Sequence, residues 1–244
     1  MIKNSFYILT GLAALALASC DDGHVDDPVY VDTTKTYSVV VSGTFHGKDQ
    51  WQGTDYTLCL AGFNDESEYS VIQKDFNTKA DTQEEETVRM TRISTSCTSI
   101  QIAVVNVLRQ HQATIYKYEI ESGQDPDDTI RIDLGNIDVS PFGAVNSAVF
   151  QGLSCSKCHQ GSEPTAGLSL TTDEAYKNLV GVESSKSAGS IRVVPGDAES
   201  SFLYKVIKEG DANVHYSHLG FFVEDANATL PDLIKMWIDE GAKQ

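Results

Sequence analysis

The sequence predicts an α+β fold in two parts, an N-terminal antiparallel β-sandwich of immunoglobulin-like type followed by an all-α domain. Apolar residues alternate with a period of two up to about residue 139, and afterwards recur every three to four residues. The period of the apolar residues changes at Ser140-Pro141. The predicted divisions are a signal peptide at 1–19, a tether at 20–35, the sandwich at 36–139 and a second domain at 140–244.

Seven short runs rich in β-branched and aromatic residues predict the strands of the sandwich. Turn-forming Gly, Asn, Asp, Ser or Thr residues bound each run. Seven such strands over roughly a hundred residues are typical of an immunoglobulin-like sandwich. The runs are residues 37–45, 55–63, 69–76, 86–93, 99–107, 113–121 and 128–137.

Four segments after residue 140 predict helices. Thr171 followed three residues later by Glu174 has the spacing of a capping box and predicts the start of the second one. Glycines predict the ends of the last two, and a proline suits the first turn of the fourth. The apolar stripes are Val145, Ala148 and Val149 in the first segment, Phe202, Leu203, Val206 and Ile207 before Gly210, and Leu233, Ile234 and Trp237 between Pro231 and Gly241.

The first twenty residues predict a targeting segment that does not belong to the fold. Lys3 precedes an apolar run from about Phe6 to Ala18, and the run closes on Ser19-Cys20. This ending resembles the lipobox of bacterial lipoproteins, so the predicted lipid anchor is Cys20, acylated as the first residue of the mature chain. An ordinary secretory signal with a chance cysteine is the alternative. A spanning helix needs about 20 apolar residues, and this run is shorter.

Residues 20–35 are acidic, lack apolar periodicity and predict a flexible tether. Acidic residues just after the acylated cysteine resemble an outer-face export signal of some Gram-negative lipoproteins. The predicted location is therefore the cell envelope, lipid-anchored to the outer membrane on its periplasmic or outward face. The formal charge of −17 argues against nucleic acid, because phosphate binding needs clustered Lys and Arg, and it fits a partner protein with a basic contact patch.

Export also predicts oxidising surroundings, which makes Cys59 and Cys97 a candidate disulfide. A bridge closing a loop of this length, about 39 residues, would stabilise the fold by roughly 3–4 kcal/mol. Two separately buried thiols are the alternative.

The motif with the most specific chemistry is CSKCH at residues 155–159. C-x-x-C-H is the attachment sequence of c-type haem. The thiols of Cys155 and Cys158 would add across the haem vinyl groups, and His159 would bind the iron as the proximal axial ligand. Export agrees with this interpretation, because haem c is attached outside the cytoplasm.

Three other interpretations compete with haem attachment. A zinc site could use Cys155, Cys158, His215 and His218, although 56 residues separate the two pairs and His159 stays unexplained. A thioredoxin-like redox pair would need a βαβ context that this pattern lacks. A chance occurrence of the motif is the third.

The second part of the sequence resembles the monohaem cytochrome c domain of bacterial exported proteins. The resemblance implies an all-α cytochrome c-like domain for electron transfer, with Trp237 where the first and last helices pack together. It also implies, by position only, that Arg192 and Pro195 lie near the haem edge or on its proximal side. The matching pieces are the helix before CSKCH, then GLSL (167–170), EAYKNLVG (174–181), VVPGDAESSFLYKVI (193–207) and WIDEGA (237–242).

The methionine that proteins of this resemblance place opposite the proximal histidine has no counterpart here. The sequence has only Met1, Met90 and Met236, in the targeting segment, in the sandwich and directly before Trp237. By register the expected distal ligand is His218, with His215 as the alternative and a five-coordinate iron as the third possibility.

The expected ligand set decides what the protein could do. Two histidines would saturate the iron and lower its potential relative to Met/His ligation. The sequence thus predicts a membrane-anchored c-type cytochrome lipoprotein with one haem c and an accessory sandwich, which passes single electrons to a redox partner protein. It predicts no enzyme, unless an open sixth position permits peroxidase-like chemistry. The alternative is a surface glycan- or protein-binding lipoprotein in which the sandwich is the functional domain and the haem, or a Cys2His2 zinc site, is accessory.

Overall fold

A computed structural model describes residues 35–223 and 227–244 of the chain. The described residues form one compact unit. The predicted signal peptide at 1–19, the predicted anchor Cys20 and the tether up to residue 34 lie outside the described residues. No helix in the described ranges has the length and apolar character needed to cross a membrane.

All seven predicted strands are present. They form a three-stranded sheet in the order β4-β1-β7 and a four-stranded sheet in the order β3-β2-β5-β6. The strands are β1 (Thr36–His46), β2 (Tyr56–Phe63), β3 (Ile72–Asp75), β4 (Glu86–Ser94), β5 (Ser99–Asn106), β6 (His111–Glu119) and β7 (Thr129–Asp138).

Alternation along the strands builds the core between the two sheets. Successive side chains of a strand point to opposite faces, and in β1 every second residue is buried. Val39 and Val41 of the first sheet share one apolar cluster with Leu58, Leu60 and Ile102 of the second. The N-terminal β-sandwich is therefore confirmed.

The prediction that the sandwich is immunoglobulin-like and wholly antiparallel is wrong. β1 pairs with β4 in antiparallel orientation but with β7 in parallel orientation. In the immunoglobulin arrangement the first, second, fourth and fifth strands share a sheet, whereas here the first strand lies with the fourth and seventh. Alternation shows which face of each strand is buried but does not choose the neighbouring strand.

The all-α domain predicted for the second part is also wrong. Its α-helices are short and are separated by turns, 3-10 turns and isolated β-bridges, and the fold as a whole is mostly β. The helices are α1 (Pro141–Val145), which continues into a π-helical turn (Asn146–Gln151), α2 (Ala175–Leu179), α3 (Phe202–Lys208) and α4 (Leu230–Asp239). The change from strands to helices falls near residue 140, as expected, and the division into two domains there stays a prediction.

Local backbone preferences explain why these helices are so short. Gly181 and Gly210 follow α2 and α3 with φ of 71° and 76°, a left-handed conformation that glycine adopts without steric cost and that ends a helix. The expected capping box does not form, because Glu174 caps α2 without any side-chain hydrogen bond. Apolar periodicity therefore located the helices but overestimated their lengths.

The core of the sandwich continues without a break into the second part. One apolar cluster includes residues of both sheets together with residues of α1, α2 and α4. The Phe142 ring of α1 lies 5.2 Å from the Trp237 ring of α4, and 5.2 Å from the Tyr176 ring. The contact of the first and last helices at Trp237 is therefore confirmed.

The structure contradicts the predicted disulfide between Cys59 and Cys97, because both thiols are free and buried. Cys59 lies in a small apolar cluster apart from the main core, while Cys97 belongs to the main core and has its sulfur beside Gly62. Positions 59 and 62 of β2 face opposite sides of the sheet, since side chains alternate along a strand. The two sulfurs therefore point into different clusters.

Substitution of Trp237 tests the role of the helix contact in the stability of the fold. Trp237 is 1 % exposed, and its Nε1 donates a hydrogen bond to the Lys243 carbonyl at 2.8 Å. We expect Trp237→Ala to lower the free energy of unfolding by about 3–5 kcal/mol in urea titrations. Trp237→Phe keeps most of the ring packing and should cost less than half as much. Equal losses in the two variants would contradict a packing role.

Candidate cofactor site

The CSKCH motif is presented on one tight turn at the end of the first helical segment. The Ser140 hydroxyl accepts a hydrogen bond from the Gly143 amide at 3.0 Å and caps α1. The chain then passes through the π-helical turn into a 3-10 turn at Cys155–Lys157. The amides of Cys158 and His159 both donate to the Cys155 carbonyl, at 3.2 and 3.1 Å. This turn therefore fixes the two thiols and the imidazole relative to one another.

The two thiols differ in their surroundings. Cys155 is half-buried, with its sulfur 3.5 Å from the Val149 carbonyl, whereas Cys158 is exposed. Burial raises the pKa of the Cys155 thiol to about 11. Cys155 is therefore a protonated thiol at neutral pH, the state in which a thiol carries the hydrogen that addition across a vinyl group requires.

His159 is held by its Nδ1 atom. The ring is 9 % exposed, and Nδ1 lies 3.1 Å from the Thr165 carbonyl and 3.2 Å from the Leu168 carbonyl. Because carbonyl oxygens only accept hydrogen bonds, Nδ1 carries a proton, and in the neutral ring the lone pair is therefore on Nε2. Metal-binding histidines show this arrangement, in which the second ring nitrogen donates to a carbonyl or carboxylate.

The ring of His218 lies beside the ring of His159. The centroids of the two rings are 6.2 Å apart, with 35° between the ring planes. Its Nδ1 is buried and has no hydrogen-bond partner among the described residues. Burial lowers the pKa of His218, and the nearby His159 lowers it further, against a smaller opposite effect of the Tyr216 backbone. His218 is therefore neutral at physiological pH, which is the form that binds metals.

This geometry fits a haem iron between the two rings. Imidazole nitrogens bind metals such as zinc at about 2.0–2.1 Å, so two rings on opposite sides of one ion have centroids roughly 6 Å apart. A buried ring nitrogen without a partner is costly, and an iron atom would give the His159–His218 pair a shared one. His215 is exposed, and the structure brings His218, not His215, next to His159.

The ligands of the alternative zinc site do not come together in the described residues. Within residues 35–223 and 227–244, no three His, Cys, Asp or Glu side chains come close enough to hold one metal ion. A structural zinc site needs four such ligands. The set of Cys155, Cys158, His215 and His218 therefore does not form.

One family model matches the chain, and its description is Planctomycete cytochrome C. The match covers residues 155–214, from the first cysteine of the motif to the residue before His215. Residues 155–214 are a cytochrome c-like region. A domain of this kind implies covalently bound haem c. No curated protein and no solved structure matches the chain.

The match covers less than half of the chain and stops short of both candidate distal histidines. The cytochrome c-like region thus includes the attachment motif and His159. The position of His218 is a feature of this chain's own structure.

Arg192 has a more specific position than the sequence indicated. Its guanidinium is buried and donates to the carbonyls of Asn178 at 2.8 Å and of Ala166 and Gly167 at 3.2 Å. Ala166 and Gly167 lie between the two residues whose carbonyls accept from His159, so Arg192 supports the proximal side of the site. Sequence reasoning missed Thr165 and Leu168, because they act through backbone carbonyls that leave no trace in residue type. The turn-forming Gly167 was the only available signal.

An open depression lies on the surface of the sandwich beside β3. It has a volume of about 450 Å³ and is lined by Gln73, Asp75 and Arg109 together with Val71 and Ile72. Glycan or partner binding by the sandwich stays a prediction.

The difference between the two thiols predicts unequal alkylation of haem-free protein. With a pKa of about 11, Cys155 has roughly a hundredfold less thiolate at neutral pH than an ordinary exposed cysteine. We expect iodoacetamide to label Cys158 first, and labelling of Cys155 to accelerate as the pH rises towards 11, as followed by peptide mass spectrometry. A Cys158→Ser variant isolates the slower site. Equal rates at pH 7 would contradict the burial of Cys155.

Proposed function

We propose that the protein is an exported c-type cytochrome lipoprotein that carries single electrons through one haem c. The proposal is supported most directly by a single observation: the CSKCH motif of the cytochrome c-like region lies on a turn with His159 Nε2 free to bind metal. Cys155 and Cys158 hold the cofactor by thioether bonds, and His159 is its proximal ligand. When bound, the haem supplies the one-electron change at iron.

His218 is the distal ligand in this proposal. Support comes from its ring, 6.2 Å from that of His159, and from its buried Nδ1 without a partner in the described ranges. Two imidazoles leave no position for a substrate, so the protein transfers electrons and performs no catalysis. The potential is expected to lie below that of Met/His cytochromes.

The anchor and the partner complete the proposed role. Acylation at Cys20 would hold the protein at the outer membrane of the cell envelope, on its periplasmic or outward face. The net charge of −17 would attract a redox partner with a basic contact patch and speed the encounter at low ionic strength.

A pyridine haemochrome spectrum tests haem attachment. Protein produced together with haem-attachment machinery should give a spectrum of covalent haem c at one haem per chain. The Cys155→Ala/Cys158→Ala double variant should give none after acid–acetone extraction, because extraction removes haem that is not covalently bound. Absence of covalent haem in the wild-type protein would refute the proposed function, and two haems per chain would refute the single-haem form.

Paired histidine variants test the distal ligand. We expect His218→Ala to change the low-temperature EPR spectrum of the oxidised protein from low-spin to high-spin, because it removes one of two strong axial ligands. His215→Ala is the matched control, three residues away and exposed, and should keep the wild-type spectrum. A wild-type spectrum for His218→Ala would show that His218 does not bind the iron.

A further inference from the structure

Arg192 is a buried cation without a carboxylate partner. Its residue is 8 % exposed, and no Asp or Glu forms a salt bridge with it among the described residues. Burial of a charge is costly unless hydrogen bonds compensate it, and three backbone carbonyls supply that compensation here. Two of these three bonds reach the turn at residues 165–168, which follows the attachment motif, so the buried cation points to a role in holding that turn.

The backbone fixes Arg192 on both sides. Its amide donates to the Val182 carbonyl at 2.7 Å, and its carbonyl accepts from the Leu203 amide at 2.9 Å. The guanidinium therefore projects from a rigid base. Its planar, forked set of donors suits several carbonyls at once, which the single ammonium of lysine cannot reproduce.

Two of the three carbonyls held by Arg192, those of Ala166 and Gly167, belong to an unusual turn. Ala166 has φ of 60° and ψ of 20°, a left-handed conformation that carries a steric cost for residues with a Cβ. Its carbonyl accepts from Arg192 and also from the Ser185 hydroxyl, at 2.7 Å. The surrounding contacts thus hold the turn in a conformation that it would not favour alone.

This turn directs two carbonyls at the proximal histidine. Thr165 precedes and Leu168 follows the Ala166–Gly167 pair, and both of their carbonyls lie within 3.2 Å of His159 Nδ1. Arg192 is therefore linked to His159 through one turn. The guanidinium binds two carbonyls of this turn, and the two neighbouring carbonyls accept from the imidazole.

We propose that Arg192 is a positioning residue for His159, which fixes the turn at residues 165–168 so that its carbonyls hold the Nδ1 proton. The proposal deepens the function proposed above, because a firm Nδ1–H···O bond fixes the ring orientation and makes Nε2 a stronger donor to iron. Loss of the Arg192 hydrogen bonds weakens the Nδ1–H···O bond of His159 without removing any iron ligand.

Hydrogen exchange of the His159 Nδ1 proton, measured by NMR on the reduced protein, tests the proposal. We expect both Arg192→Gln and Arg192→Lys to accelerate this exchange about three- to tenfold, the factor that corresponds to the loss of one net hydrogen bond. Lysine keeps the charge but lacks the fork, so a wild-type rate for Arg192→Lys alone would show that charge, not positioning, matters. A wild-type rate in both variants would overturn the proposal.

Arg131→Gln is the matched control, since it removes one exposed arginine charge from β7. It should leave the exchange rate unchanged, and the reduction potential should shift more in Arg192→Gln than in this control. Equal shifts would reduce Arg192 to a long-range charge and overturn the proposal.

Two further readouts keep the inference separate from folding and from the proposed function. If both Arg192 variants fail to fold, the proposal can still be tested on the guanidinium of the wild-type protein. Its three bonds to carbonyls should restrict its rotation and slow the exchange of its Nη protons. Free rotation would overturn the proposal. Haem content is measured on each sample. If the wild type holds no haem, the proposed function fails, whereas the exchange of the Arg192 Nη protons still tests the three carbonyl bonds, because every group in them belongs to the polypeptide.

Discussion

The hydrogen bond from His159 Nδ1 to the Thr165 and Leu168 carbonyls is the interaction on which the account of this site depends. It sets the tautomer of the ring, and therefore leaves Nε2 available to a metal. The His159 carbonyl in turn accepts from the Leu170 amide at 2.7 Å. The motif and the loop after it are thus held together at the residue that would bind the iron.

The packed core of the fold supports this arrangement. The core of the two sheets continues into α1 and α4, so the turn that carries Cys155 and Cys158 rests on the same packed interior as the sandwich. Phe142 and Trp237 join the two helices directly. The sandwich therefore gives the short helices a packed base that they could not form alone.

Period-two alternation was sufficient to locate all seven strands, because burial of one strand face is a local property of the sequence. The pairing of β1 with β7 was not predictable in this way, since it joins residues far apart in the chain. The free thiols of Cys59 and Cys97 show the same limit, because the apolar cluster that each sulfur enters is set by the folded sheets. In the second part, apolar stripes located the helices, but left-handed residues such as Gly181 and Gly210 ended them early.

Some features of the candidate site could likewise be predicted from the sequence, and others could not. C-x-x-C-H is a local motif whose chemistry can be read from residue types, and its sequence distance from the last helix is enough to favour His218 over His215. The acceptors of the His159 proton could not be predicted, because they are backbone atoms. Arg192 could be placed only roughly, since its partners are carbonyls of a turn that exists only in the folded chain.

A crystal structure of the mature, oxidised protein tests the central claim most directly. The account predicts one haem with thioether bonds to Cys155 and Cys158, and with its iron bound by His159 on one side and His218 on the other. A structure with a metal ion but no haem at the two cysteines, or with His218 directed away from the iron, would contradict it.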